Sequence, residues 1–247
     1  MATAGLVRRH PLQRLPAPSR GASAILHSLG LASFAYSFSW LVRNPNPVND
    51  SYGWHMQYLT IIGLSLAAAT FTVALLADIT DSHTLFKIKN ALAVASAPME
   101  CLISLLYWTL RAIDESLVLP DWAEPLPLHT DFSFHAIPAL ALVIDILFFS
   151  PPYTIAVLPA LALSGCIAFG YWVWIERCYQ FNQFYPYPLF EILSTPQRVG
   201  LFASSALLMT GVTMLLISLY GLLNGRDTII SNGGATRKMR SGNVKGE

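Results

Sequence analysis

Six apolar stretches, at about 24–42, 58–79, 90–112, 132–150, 153–175 and 197–223, take up most of this chain. Each is close to the roughly 20 residues that an α-helix needs to cross the hydrocarbon core of a bilayer. Backbone N–H and C=O groups find no water there, so a crossing segment must satisfy them internally, as a helix does. The supply of charge points the same way. Hydrophobic residues make up 54% of the 247 and charged residues only 12%, about half the quarter usual in soluble domains. Such a chain cannot coat a water-facing surface of ordinary polarity. Its net charge of +1 lacks the basic stripe that a nucleic-acid partner needs. The expected fold is all-α, a polytopic bundle of six transmembrane helices.

Three segments follow from this division. Residues 1–23 form a basic, flexible arm with Arg8, Arg9, Arg14 and Arg20 and no acid. Residues 24–223 form the transmembrane domain. Residues 224–247, rich in Gly, Ser and Lys/Arg, form a disordered cytosolic tail. An Arg-rich, acid-poor start also describes a mitochondrial presequence. Pro11, Pro16 and Pro18 work against the amphipathic helix a presequence needs. An endomembrane, such as the endoplasmic reticulum, or the plasma membrane is therefore expected.

Cytosolic flanks of membrane helices are enriched in Lys and Arg. With the N-terminus in the cytosol, the inner segments carry the four arginines of the arm, Lys87, Lys89, Arg226, Arg237, Lys238, Arg240 and Lys245. The outer segments carry Arg43, Arg111, Arg177 and Arg198. This asymmetry places both termini in the cytosol. Asn49-Asp50-Ser51 is then a glycosylation sequon on the outer side, in a short loop held close to the membrane. Cys101 and Cys166 lie in apolar runs, and with Cys178 they form no C-x-x-C pair, so neither a zinc ribbon nor a redox motif is expected.

Ionisable groups inside spans are functional candidates by default. Glu100 lies midway along the third span and Asp145 in the inner half of the fourth. His135 lies one turn into the fourth span, Asp131 four residues before it, and Thr60 opens the second. Each has a plainer reading. A membrane threonine commonly bonds the carbonyl one turn back, Asp131 suits a helix N-cap, Glu100 suits a protonated carboxyl bonded to a neighbouring helix, and Asp145 suits a partly hydrated inner interface.

Topology raises Thr60 and His135 above these readings. The second and fourth spans both run from outside to inside, so the two residues share one face and a similar depth. A hydroxyl with an imidazole within hydrogen-bond reach, or one water away, is the nucleophile-and-base arrangement of acyl transfer. Thr60 is not the first residue, so its base must be another side chain, and His titrates near neutrality. Asp131, one helical turn from His135, is placed to orient the ring. Other chemistries lack their motifs. There is no H-E-x-x-H, P-loop or dinucleotide fingerprint. Ala162-Leu163-Ser164-Gly165 lacks the first glycine of a rhomboid-like G-x-S-G, and six scattered histidines make no di-iron cluster.

Several motifs in collinear order resemble one family. Gln57-Tyr58-Leu59-Thr60 after Gly-Trp is similar to its W-K-Y-L-T. Lys89-Asn90, Ala97-Pro98, Tyr107-Trp108 and Glu115-Ser116-Leu117-Val118-Leu119-Pro120 resemble its series around the third span. Gly170-Tyr171-Trp172-Val173-Trp174 and Tyr187-Pro188-Leu189-Phe190-Glu191 resemble its G-Y-x-x-W and Y-P-F-L-E. This is the androgen-induced-gene / androgen-dependent TFPI-regulating protein family, also called FAR-17a-like, and the resemblance covers about residues 24–223. It implies a six-span protein that hydrolyses fatty acid esters of hydroxy fatty acids with a membrane Thr and His. The Thr of Y-L-T matches Thr60. In the family's N-H-x-x-H, the second His matches His135, Asp131 replaces the Asn and Phe132 replaces the first His.

The combined expectation is an integral membrane threonine hydrolase of lipid esters. Thr60 is its nucleophile, His135 its general base and Asp131 an orienter. No metal or organic cofactor is implied, and the expected partners are the lipid ester and the surrounding membrane lipids, not nucleic acid. The alternative is a non-enzymatic carrier or scaffold built on Glu100 and Asp145.

Overall fold

The computed structural model describes residues 20–224, and among these there is no strand. Eight α-helices follow in chain order: α1 (Gly21–Arg43), α2 (Leu59–Thr80), α3 (His83–Ile113), α4 (Leu128–His135), α5 (Ile137–Phe149), α6 (Val157–Asn182), α7 (Leu189–Ile192) and α8 (Thr195–Asn224). Helices α1, α2, α3, α6 and α8 are each long and apolar enough to cross a membrane, and α4 with α5 reaches that length only when the bent pair is taken as one span. Leu29, Leu158, Leu207 and Leu222 are each more than 60% exposed, as residues facing lipid should be. The fold is that of a polytopic helical membrane protein, as the apolar stretches predict. The expected arm (1–23) and tail (224–247) lie almost wholly outside the described residues. Their described ends are helical, because α1 begins at Gly21 and α8 ends at Asn224.

Two boundaries differ from the sequence reading. The fourth stretch is not one straight helix, since α4 and α5 are bent by 44° across Ala136. Pro138 stands at the start of α5. It has no N–H to donate, and its ring crowds the carbonyl four residues back, that of Phe134. His135 is therefore the last residue of α4, at the bend, not one turn inside a straight span. The charged segment 80–89 is also mostly helix. Ser82 caps α3 by accepting from the Leu85 N–H at 3.3 Å, and α3 continues for 31 residues. That is about 46 Å, well beyond a hydrocarbon core of about 30 Å.

Helix α2 packs against both α1 and α3, and α6 packs against α8. The main core joins Phe34 of α1, Leu64 and Phe71 of α2, Leu142 and Ile146 of α5 and Tyr220 of α8. Close approach of α2 to α3 depends on Gly63. A Cβ there would stand 2.6 Å from Ile103 Cδ1 and 2.7 Å from Glu100 Oε1. Glu100 is 1% exposed, and its Oε1 has no hydrogen-bond partner among the described residues. Gly63→Ala is expected to lower stability by about 1–3 kcal/mol, the usual cost of overpacking, measurable as a fall in unfolding midpoint in detergent.

The end of the bundle far from Thr60 is held by buried charge. Asp78 lies 18 residues beyond Thr60 on α2, about 27 Å along the helix. Its carboxylate accepts from Ser23 at 2.6 Å and meets His27 Nδ1 at 2.7 Å. His27 Nε2 lies 3.0 Å from Asp145 Oδ1, and Lys89 Nζ lies 2.6 Å from Asp145 Oδ2. Lys89 also donates to Ser150 Oγ at 2.7 Å. A carboxylate only accepts, so the His27 ring satisfies both of its neighbours by carrying two N–H groups. Two acids then balance one lysine and one imidazolium, tying α1, α2, α3 and α5 together. Asp145 is 0% exposed, which corrects its placement at a partly hydrated interface.

Candidate active site

At the opposite end, α6 fixes the turn that leads into Thr60. Tyr171 donates to the Gln57 carbonyl at 2.9 Å, and Trp174 Nε1 donates to the Met56 carbonyl at 3.0 Å. Gly53, just upstream, has φ +86°, a left-handed conformation that favours glycine. A Cβ there would lie 2.9 Å from Cys178 Sγ of α6. Contacts from α6 thus hold the backbone that leads into α2, and Thr60 sits buried in its first turn.

His135 is brought to the same end by α4. Ser37 of α1 donates to Ser133 Oγ at 2.9 Å, and Tyr36 bonds Thr130 at 2.9 Å, so α4 is anchored beside the last turns of α1. Helical spacing of four residues places Asp131 next to His135, with Nδ1 2.8 Å from Asp131 Oδ1. Asp131 is fully buried and lies inside α4, whose N-cap position is Pro127, so the N-cap reading is set aside. With Nδ1–H donating to the carboxylate, Nε2 holds the basic lone pair. Nε2 has no hydrogen-bond partner among the described residues.

Three more residues complete this constellation, and none was singled out for it from sequence. Arg111 of α3 pairs with Asp131 Oδ2 and, at 2.8 Å, with Glu115. Tyr107, one turn earlier on α3, stacks on the His135 ring with centroids 3.4 Å apart and planes 6° from parallel. Its hydroxyl accepts from Arg111 at 3.2 Å. Tyr187, between α6 and α7, places its hydroxyl 3.4 Å from Thr60 Oγ1. Burial raises the Tyr187 phenol above its ordinary pKa, so it remains a donor at neutral pH. Tyr107 and Tyr187 stand inside motifs that carry the family resemblance, which was the available signal for them.

Thr60 and His135 open on one cavity of about 700 Å³, together with Arg111, Glu115 and His55. No direct hydrogen bond joins them, and the side-chain contact of the Thr60 hydroxyl is Tyr187. A second cavity, of about 130 Å³, begins at the same place and runs between α3, α6 and α8. No charged residue lines it. Thr60, Tyr107, Val118 and Tyr187 belong to the walls of both. Among the described residues, no group of three or more His, Cys, Asp or Glu side chains is arranged to hold a metal ion.

A bundle of lipid-facing helices with a hydroxyl, an imidazole and a carboxylate gathered at one end defines a class: polytopic membrane proteins with a polar site at one end of the bundle. Residues 22–221 match the FAR-17a/AIG1-like protein family, and the chain belongs to that family. It is also similar to a UPF0641 membrane protein of Schizosaccharomyces pombe, at 36% identity over 211 residues, covering 84% of this chain and 95% of the relative. No solved structure matches it.

Proposed function

We propose that this member of the family is a threonine hydrolase of lipid esters whose acid and alcohol parts are both long-chain, of the kind formed by fatty acids with hydroxy fatty acids. The observation that carries the reading is His135, paired with the buried Asp131 and facing the same cavity as Thr60, at the mouth of an uncharged chamber. Thr60 Oγ attacks the ester carbonyl while His135 Nε2 takes its proton. The bond between the carbonyl carbon and the alcohol oxygen then breaks, and His135 returns the proton to the leaving alkoxide. Water adds to the acyl-threonine with His135 again as base, releasing the fatty acid and restoring the Thr60 hydroxyl. Sites without substrate are often looser than the reacting complex, and the ester closes the gap between hydroxyl and imidazole. Asp131 holds the ring in the correct tautomer, and Arg111 holds Asp131.

The Tyr187 hydroxyl, beside Thr60 Oγ1, supplies a hydrogen bond to the developing oxyanion. Tyr187→Phe is expected to lower kcat by about 100-fold, the lower range for loss of one such donor, with little change in KM. The reading is tested by incubating purified protein in detergent with such an ester and measuring free fatty acid. Release that depends on Thr60 supports it, and its absence from correctly folded protein overturns it.

The site end faces the lumen or the exterior, and both termini face the cytosol, in an endomembrane or the plasma membrane. The basic asymmetry of the flanks supports this orientation. Terminal tags in sealed microsomes are expected to be fully digested by added protease, and protection of either tag contradicts the orientation.

A further inference from the structure

We propose that the two cavities divide the ester between them. The acyl half enters the uncharged chamber, where Met99 and Met209 form the floor that measures its length, and the alcohol half lies in the cavity beside His135. This assignment rests on the hydrolase reading. Thr60 stands in both walls, so a carbonyl carbon at its hydroxyl has one half of the ester on each side. The alkoxide that leaves must take its proton from His135, which lines only the charged cavity. The alcohol half therefore departs on that side, and the acyl chain that stays bonded to Thr60 has the chamber to itself. The chamber offers an acyl chain what it needs, an apolar wall with no buried charge left unpaired.

Its depth follows from the helices. From Tyr107 at the mouth, α3 runs eight residues to Met99, and α8 runs eight from Leu201 to Met209. Eight residues of helix span about 12 Å. Both methionines are buried and belong to one cluster with Leu102 and Ile103, and on α3 and α8 they are the lining residues furthest from the mouth, which makes them the floor of the proposal. Bonds of about 1.5 Å meeting at about 111° advance about 1.25 Å each, so roughly ten carbons extend from the mouth to that floor. Methionine is unbranched and adaptable, so longer chains must displace the floor, and its volume sets their cost.

The test uses two ester series, one varying the acyl length at fixed alcohol and one varying the alcohol length at fixed acyl group. Ala206 of α8 lines the chamber one turn before Met209. Ala206→Phe is expected to lower the ratio of kcat/KM for long-acyl over short-acyl esters by tenfold or more, the scale of lost methylenes in an apolar pocket. Met209→Ala is expected to raise that ratio. Neither variant should change the shape of the alcohol-length profile. A shift confined to alcohol length overturns the assignment, as does an unchanged acyl profile in both variants. A second measurement needs no turnover. Free fatty acids carrying a photoreactive group at the tail end are crosslinked to wild-type and Thr60→Ala protein, and the adducts are mapped by mass spectrometry. Adducts on the peptides carrying Met99 or Met209 support the chamber even if no ester is hydrolysed. Adducts confined to the His135 cavity or to lipid-facing residues overturn it.

Discussion

Thr60→Ala and His135→Ala are each expected to cut hydrolysis of long-chain esters by about 1000-fold or more, with normal insertion and accumulation. The double variant should be little worse than either single one. Residues that act as a unit in one step lose nearly all of their joint effect with the first deletion. If the two side chains merely packed the bundle, their effects on turnover would be small, and their effects on stability would add, as for independent sites. Asp131→Asn extends the series. The amide can accept a hydrogen bond from His135 but no longer pairs ionically with Arg111, so turnover should fall while Thr60 stays in place. Measuring kcat and the unfolding midpoint on the same preparations separates lost chemistry from lost fold.

The second large effect lies at the other end of the molecule. Asp145→Leu is expected to cost roughly 3–5 kcal/mol of stability, because it strips the buried Lys89 and His27 of a counter-charge. Lys89→Met should cost a similar amount by leaving the two acids with one cation. Combining Lys89→Met with Asp145→Leu should recover much of the loss. His27 and Asp78 then remain as a balanced pair, and replacing a buried ion pair by apolar groups is often close to neutral. Denaturant unfolding of the three variants checks this. Strict additivity of the single losses would contradict the pairing at 2.6 Å between Lys89 and Asp145. Asp145 acts about 15 Å along the chain direction from His135, so per-molecule turnover of any folded fraction should be nearly unchanged.

The length of the apolar stretches was enough to place the crossings, because a bilayer imposes both length and helicity. The pairing of Asp131 with His135 was legible for a similar reason, since a four-residue spacing on a helix puts side chains side by side. The common end of Thr60 and His135 followed from counting crossings. The bend at Ala136 was signalled by Pro138, but a hydropathy reading treats an apolar stretch as straight. The partners of Asp145 were harder to see. Lys89 looked like a loop residue and proved to be a buried member of α3, while His27 comes from a helix 118 residues earlier in the chain. Arg111 counted only as a basic residue of the outer side, because its ion pair with Asp131 spans a loop. Tyr187 reaches Thr60 across 127 residues of sequence, and no local pattern encodes such a contact.

Ester cleavage by this site requires the Thr60 hydroxyl to be the nucleophile. Treating the purified protein with a fluorophosphonate, which captures an activated hydroxyl, and mapping the adduct by peptide mass spectrometry tests this directly. The expected result is a single adduct on the peptide containing Thr60, absent from Thr60→Ala and strongly reduced in His135→Ala. Labelling that persists undiminished in Thr60→Ala, or an unlabelled Thr60 in protein that still hydrolyses the ester, would contradict it.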